Sequence, residues 1–353
     1  MTEDMNVKYL SQEALLAAGC FDLPSAISVV ERTLLAYEKN RILFPDKIVQ
    51  IFDEQLQSRI NCLPATLLDE KVCGMKWISV FPGNPKLFGL RNQSAVILLS
   101  SLETGFPIVF MEGTLCSNIR TAAIGSCAAK YLARKDSQVI GFIGAGEMAR
   151  MHLVGMKAML PNLKVCKVAS RTEKTENEFV AQMSPLYPDI KFIPCHSNYE
   201  YAARESDVII TAISGQEPIL HGAWCKKGAF YCHVAGWEDD DETVLKADKI
   251  VCDCWEIVKH RTQTLSRLYK IGRLKDSNIH ADLIDIIMGR KPGRESDDEF
   301  NYFNSVGLSY IDIALAYDMF KKAEDKAVVL PFQEESIFAH KLIPTDKPGT
   351  FKL

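Results

Sequence analysis

Residues 137–151, Ser137-Gln138-Val139-Ile140-Gly141-Phe142-Ile143-Gly144-Ala145-Gly146-Glu147-Met148-Ala149-Arg150-Met151, decide the fold. Val139, Ile140, Phe142 and Ile143 make a short apolar run, the length of one buried parallel strand. Gly144-Ala145-Gly146 follows without a spacer, and Glu147-Met148-Ala149 opens a helical pattern. This is G-x-G-x-x-A in the strand–turn–helix setting of the dinucleotide fingerprint. Gly144 suits the tight turn, Gly146 lets the backbone approach a pyrophosphate, and Ala149 lets the helix lie close on its strand. The start of such a helix offers free N–H groups and a positive dipole end to phosphates. The alternative is a glycine turn in an α/β unit that binds nothing. The strand before the turn and a second strand roughly twenty residues later favour the nucleotide site.

Downstream, apolar runs predict strands at 139–143, 165–169, 190–193, 208–212, 229–234 and 250–254, with helical stretches between them. Six strands in that alternation predict an α/β fold with a Rossmann-type, doubly wound parallel sheet. Upstream, residues 25–39 carry apolar side chains at helical spacing behind Ser25 as cap. Strands are predicted at 47–52, 61–65, 72–80, 94–100 and 108–111. They outnumber the helices and do not alternate with them, which predicts an α+β domain with a mostly antiparallel sheet. Residues 115–133 form a helix rich in Ala and Ser that leads into the glycine strand, a bridge between the two parts. After Lys259 the chain reads as helical and polar, with a loop at 291–294 and a last amphipathic helix over 307–323. The tail from Glu334 has prolines, charge and little pattern, which predicts poor order. The division expected is 1–122 with 307–353 in one domain and 123–306 in the other.

The 353 residues are 47% apolar and 24% charged, as expected of a globular protein with a sizeable core. A net charge of −4 leaves no nucleic-acid footprint, and no apolar run reaches the roughly 20 residues of a membrane span. The acidic start, Met1-Thr2-Glu3-Asp4, does not read as a signal peptide. Eleven scattered cysteines read as reduced thiols, which points to the cytoplasm. Cys252-Asp253-Cys254 has the look of a metal pair but no further ligands near it, so no metal is expected.

Gly74-Met75-Lys76-Trp77 with Gly83-Asn84-Pro85, Arg120-Thr121-Ala122-Ala123, Gly144-Ala145-Gly146 and Ser305-Val306-Gly307-Leu308 stand in a fixed order. In that order the chain resembles the ornithine cyclodeaminase/mu-crystallin family along nearly its whole length. Gly74 to Ile78 and Pro292 to Glu299 are most similar to the members that oxidise N-(2-amino-2-carboxyethyl)-L-glutamate. The resemblance implies a homodimer whose first domain supplies the dimer contact and the substrate pocket. It implies a small amino- or imino-acid substrate and an NAD(P)-dependent reaction at a CH–NH or C=N bond. It also implies cofactor contacts from Thr121, Gly144, Gly146, Glu147, Met148, Ala149, Thr211, Ala212, Val306 and Gly307.

Within that frame Arg120 holds the substrate carboxylate, for which a guanidinium fork is suited; its alternative is an interdomain ion pair. Lys76 sits among apolar residues of a predicted strand, where a lysine is costly unless paired. The family uses it as carboxylate partner or proton donor; the alternative is a solvated strand face. Lys47 falls where many relatives have a carboxylate-binding arginine, and its alternative is an exposed strand lysine. The deaminating members carry an aspartate where this chain has Trp237, so ornithine cyclisation is not expected. Glu238 could take that acid's place with a one-residue shift, and residues 239–242 read as a solvated acidic loop. At the end of the second strand of the dinucleotide unit, Ser170-Arg171-Thr172 replaces the usual acid. Without an acid to repel a 2′-phosphate, and with Arg171 to attract it, NADP(H) is expected over NAD(H). The alternative for Arg171 is a solvated residue at a helix start. Oxidation of an opine-like glutamate conjugate is favoured over reduction of a cyclic ketimine. A cyclodeaminase and a non-catalytic binder of NADPH and a small ligand remain as further readings.

Overall fold

The computed structural model describes residues 6–213, 215–260, 264–332 and 341–352. Two eight-stranded sheets dominate. The first runs Val328–Pro331, Asn6–Leu10, Pro107–Glu112, Gln93–Ser101, Val72–Val80, Ser58–Leu67, Ile42–Leu43, with Ile48–Asp53 also paired to Ser58–Leu67. It is antiparallel except where Asn6–Leu10 meets Pro107–Glu112. One face is covered by the helices Leu23–Glu38, Thr114–Leu132 and Ser309–Ala323. Period-two burial is clear in Val72–Val80, where Val72, Gly74, Lys76, Ile78 and Val80 turn inward. Lys76 is therefore on the buried side of its strand, in phase with the apolar residues.

The second sheet is parallel throughout: Lys191–Pro194, Val165–Ala169, Val139–Ile143, Val208–Thr211, Phe230–His233, Asn301–Asn304, Lys249–Cys252, Ala281–Asp282. The expected six strands are present with ends shifted by a residue or two, and the order reverses beside Val139–Ile143, the switch point where such sheets bind ligands. Two strands were not foreseen. Ala281–Asp282 is only two residues long. Asn301–Asn304 is Asn-Tyr-Phe-Asn, too short and too polar at its ends to show a strand pattern, yet all four residues are buried. It enters between Phe230–His233 and Lys249–Cys252, with Asn301 Nδ2 donating to the Leu132 carbonyl. The chain after Lys259 is therefore not simply helical. Helix Thr114–Leu132 packs on both sheets, and Gly155 of helix Glu147–Met159 lies against Ser126, where a Cβ would stand 2.3 Å from its Oγ.

Two local expectations are corrected. Helix Leu23–Glu38 is capped by Asp22, whose carboxylate accepts from the Ser25 N–H, rather than by Ser25. The acidic run is no solvated loop. Asp239 is buried, Asp240 caps helix Asp241–Leu245, and Asp241 pairs with Arg267 and Arg273. The tail expectation begins on residues outside those described; Ile343–Pro344 and Phe351–Lys352 pair as a small antiparallel ladder. Among the described residues no helix is long and apolar enough to cross a membrane.

Candidate active site

A cleft of about 460 Å³ lies between the two sheets. One wall is the inward face of the antiparallel sheet, with Lys76 from Val72–Val80 and Arg120 from helix Thr114–Leu132. Its other wall is made by Met148, at the start of helix Glu147–Met159, and by the loops at the C-terminal edge of the parallel sheet, including Ile213, Gly236, Val306 and Gly307.

At the junction three charged groups meet. Asp312, in the first turn of helix Ser309–Ala323, accepts from Lys76 Nζ at 2.5 Å and from Arg120 Nε at 2.8 Å, both on Oδ1. Lys76 also donates to Ser117 Oγ at 3.2 Å. Lys76 and Asp312 are fully buried, and the Arg120 side chain is 13% exposed. Two cations share one carboxylate, so the cluster carries one uncompensated positive charge in a site of low dielectric. Such a charge is costly alone and attracts an anion. Burial pushes the Lys76 ammonium down to about 8, Arg120 adds to the fall, and Asp312 opposes it. A lysine at that value exchanges its proton near neutral pH.

The glycine turn has the form its sequence implies. Gly144 has φ 112°, and a Cβ there would stand 2.4 Å from the Ala212 carbonyl oxygen, so only glycine fits. Its N–H donates to Ala169 O at 2.8 Å, joining the turn to the end of the second strand. A Cβ on Gly146 would meet nothing within 4 Å, which leaves open space above the turn for a ligand. Gly146 precedes helix Glu147–Met159, whose first turn has no side-chain cap. Ala149 is buried against the sheet. The turn and the bare helix start fit a dinucleotide pyrophosphate.

Other expected residues fall as follows. Thr121 and Lys47 line the cleft, with Thr121 Oγ1 donating to the Ser117 carbonyl. Ala212 follows strand Val208–Thr211 beside the Gly144 turn. The Thr211 side chain is buried and does not line the cleft; it is bonded to Tyr231 and Glu238. Val306 and Gly307 reach the cleft because Asp253 Oδ2 accepts from Ser305 Oγ and from both their N–H groups, at 2.8–2.9 Å. At φ 81°, Gly307 lies on the Arg120 guanidinium, where a Cβ would be 2.6 Å from Nη1. Ser170 donates its N–H to Glu176, which also takes the N–H groups of His196 and Ser197. Thr172 caps helix Glu173–Met183, and Arg171 is exposed between them.

Glu238 sits one residue past Trp237, in the strand Trp237–Asp239. It is buried, and its oxygens accept from Thr211 Oγ1 and from the N–H groups of Ile213 and Ala235. Asp312 and Asp253 were missed. Asp312 is one acid in a helix buried almost all round, and Asp253 sits between Cys252 and Cys254, whose spacing reads as a metal pair. An acid within an apolar run is the signal that marks both. Among the described residues no cluster of His, Cys, Asp or Glu could hold a metal ion.

The model of the ornithine cyclodeaminase/mu-crystallin family matches residues 17–327. The chain is 29% identical to N-((2S)-2-amino-2-carboxyethyl)-L-glutamate dehydrogenase of Staphylococcus aureus, over 91% of this chain and 96% of the relative. Among solved structures it is similar to the Thermococcus litoralis Δ1-pyrroline-2-carboxylate reductase in complex with NADH and L-proline. The TM-score is 0.85 and the identity 32%, over 91% of this chain and 98% of that one. It is also similar to an archaeal alanine dehydrogenase dimer with bound NAD, with a TM-score of 0.83 and 31% identity over 93% and 100% of the two chains.

Proposed function

The chain belongs to the ornithine cyclodeaminase/mu-crystallin family, and from that premise we propose an NAD(P)-dependent oxidoreductase acting at the C–N bond of an amino or imino acid. The observation that carries this reading is the Lys76–Asp312–Arg120 cluster at a cleft whose opposite wall includes Met148, from the helix after the glycine turn, and Ile213, which lies against Gly144. A substrate carboxylate supplies the negative charge the cluster lacks, and Arg120 is placed to receive it. Gly307 and the Asp253-held loop back the guanidinium and fix its plane. The nicotinamide group, when bound, supplies or takes up the hydride. Lys76 holds the proton for the substrate nitrogen: it donates in reduction, and its neutral form accepts in oxidation. Asp312 keeps the ammonium oriented.

The preferred substrate is an opine-like conjugate of glutamate, N-(2-amino-2-carboxyethyl)-L-glutamate, in keeping with the Staphylococcus aureus relative. Reduction of a cyclic imine is the second reading, favoured by the solved relative that carries L-proline. The consumption of Glu238 in backbone contacts speaks against a deaminating acid there. The preferred cofactor is NADP(H). Support comes from Glu176, whose carboxylate reaches the Ser170 N–H but is also taken up by the N–H groups of His196 and Ser197, while Arg171 stays exposed. A homodimer is the proposed assembly. The strip of Phe52, Leu56, Leu87 and Phe88 is exposed, with Leu56 and Leu87 both beside Gly83, an apolar face suited to a second copy.

Steady oxidation of NADPH or NADH on adding 2-oxoglutarate with 2,3-diaminopropionate, or Δ1-pyrroline-2-carboxylate, tests the reading and separates its two forms. Absence of turnover with both would overturn it.

A further inference from the structure

The cleft extends well beyond the Lys76–Asp312–Arg120 cluster along the antiparallel sheet. Strand pairing sets Leu63 opposite Lys76 and Arg59 opposite Val80. Leu63, Asn61 and Arg59 therefore alternate on the cleft face, and Arg59 stands four residues along the strand from the position facing Lys76. At roughly 3.3 Å per residue that is about 13 Å between backbone positions. Arg59 is half-buried, and its hydrogen bond among the described residues runs from Nη1 to the Gln57 carbonyl at 2.9 Å. No carboxylate among the described residues pairs with it, and burial alone pulls its pKa down. Lys47, Arg59, Lys76 and Arg120 line the cleft against one lining acid, Glu54, with Asp312 behind. A monocarboxylate neutralises the inner cluster and leaves this outer guanidinium without a counter-charge.

We propose that Arg59 is the anchor for a second, distal carboxylate, so that the cleft selects dicarboxylic, glutamate-sized amino or imino acids over monocarboxylic ones. This rests on the reading proposed above for the inner cluster. The inner cation pair fixes the α-carboxylate at the reacting carbon. The guanidinium fork then holds the far end of the chain, and its planar donors match a carboxylate better than a lysine would. Arg59 is a specificity residue by this account, since it does not reach the reacting atoms.

The test compares two keto acids of equal chain length, 2-oxoglutarate and 2-oxopentanoate, which differ in carboxylate against methyl at the far end. Each is titrated by calorimetry into the protein saturated with NADPH or NADH. The wild type is expected to bind 2-oxoglutarate at least about tenfold more tightly. Arg59→Ala is expected to bring the two within about twofold by weakening the dicarboxylate, and Arg59→Lys to keep part of the preference. Equal binding of both acids by the wild type overturns the proposal whatever the variants do. So does a preference that survives Arg59→Ala, or an equal loss of both ligands. Turnover with 2,3-diaminopropionate is read in parallel. Turnover without preference removes Arg59 and leaves the oxidoreductase standing, whereas preference without turnover does the reverse.

Discussion

Replacing Asp312 by Asn keeps the shape of the side chain and deletes the charge between Lys76 and Arg120. In the wild type, burial and Arg120 push the Lys76 ammonium down and Asp312 holds it up, and the balance is about 8. In the variant the two downward influences remain and the charge of Asp312 no longer opposes them. A unit charge 4 Å away is worth about 4 kcal/mol at an effective dielectric of 20, which is about 3 pH units at 1.36 kcal/mol each. Asp312 Oδ1 is shared with Arg120, so the expected fall is about 1–3 units, enough to leave Lys76 largely neutral at pH 7. The assay is the pH dependence of the initial rate in both directions. Wild-type reduction needs the ammonium and should decline as pH rises through about 8; oxidation needs the free amine and should rise through the same value. In Asp312→Asn the reductive limb should move down by the same 1–3 units, with oxidation at pH 7 suffering less than reduction. A limb still near 8 in the variant, with rate lost evenly at every pH, would refute the reasoning. Stability gives a second readout. The folded pKa of Lys76 lies below its ordinary 10.5, so between about 8 and 10.5 the unfolded chain binds more protons. Stability therefore rises with pH across that window, by about 3 kcal/mol, and the penalty is fully present below 8. The difference in denaturation midpoint between wild type and Lys76→Met, followed over that range, measures it.

Arg120→Ala should lower kcat/KM by about 10- to 150-fold or more, the worth of one charge-assisted bond of 1.5–3 kcal/mol, while fluorescence titration shows reduced-cofactor binding nearly intact. Asp253→Ala strands four donors, Ser305 Oγ and the N–H groups of Cys254, Val306 and Gly307. Its expected cost is about 3 kcal/mol in urea unfolding, and a loss under 1 kcal/mol would show that the loop holds without it. Arg171→Ala should cut the preference for NADPH by about 1.5–3 kcal/mol when both reduced cofactors are titrated; tighter NADH binding by the wild type would defeat the assignment.

The site was legible where a residue type conflicts with its surroundings. A lysine in phase with Val72, Ile78 and Val80 must be paired when buried, and the strand alternation places it. The glycine turn was legible because its conformational need is local: φ 112° at Gly144 follows from the tight turn. What pairs with Lys76 was not, since Asp312 is 236 residues away and nothing local predicts the meeting. The acidic run misled for the opposite reason. Asp239 to Asp241 look solvated by composition, and it is Thr264, Arg267 and Arg273, from later in the chain, that bury or pair them. The strand Asn301–Asn304 was hidden because its neighbours, not its own residues, make it one.

That strand also sets the order in which the protein can be completed. It is synthesised after both of the strands it separates, so a chain leaving the ribosome carries a parallel sheet with a vacant central slot. Two strand edges stay bare until residue 304 emerges, and such edges invite pairing with other chains. Closure over so long a stretch of sequence is slow. Ser305, Gly307 and Asp312 come directly after it, so the glycine turn exists long before the residues that back Arg120 and pair Lys76. Sealing the sheet and completing the Lys76–Asp312–Arg120 cluster are therefore one late event, and a chain stopped short of residue 312 has the glycine turn without the carboxylate that pairs Lys76 and Arg120.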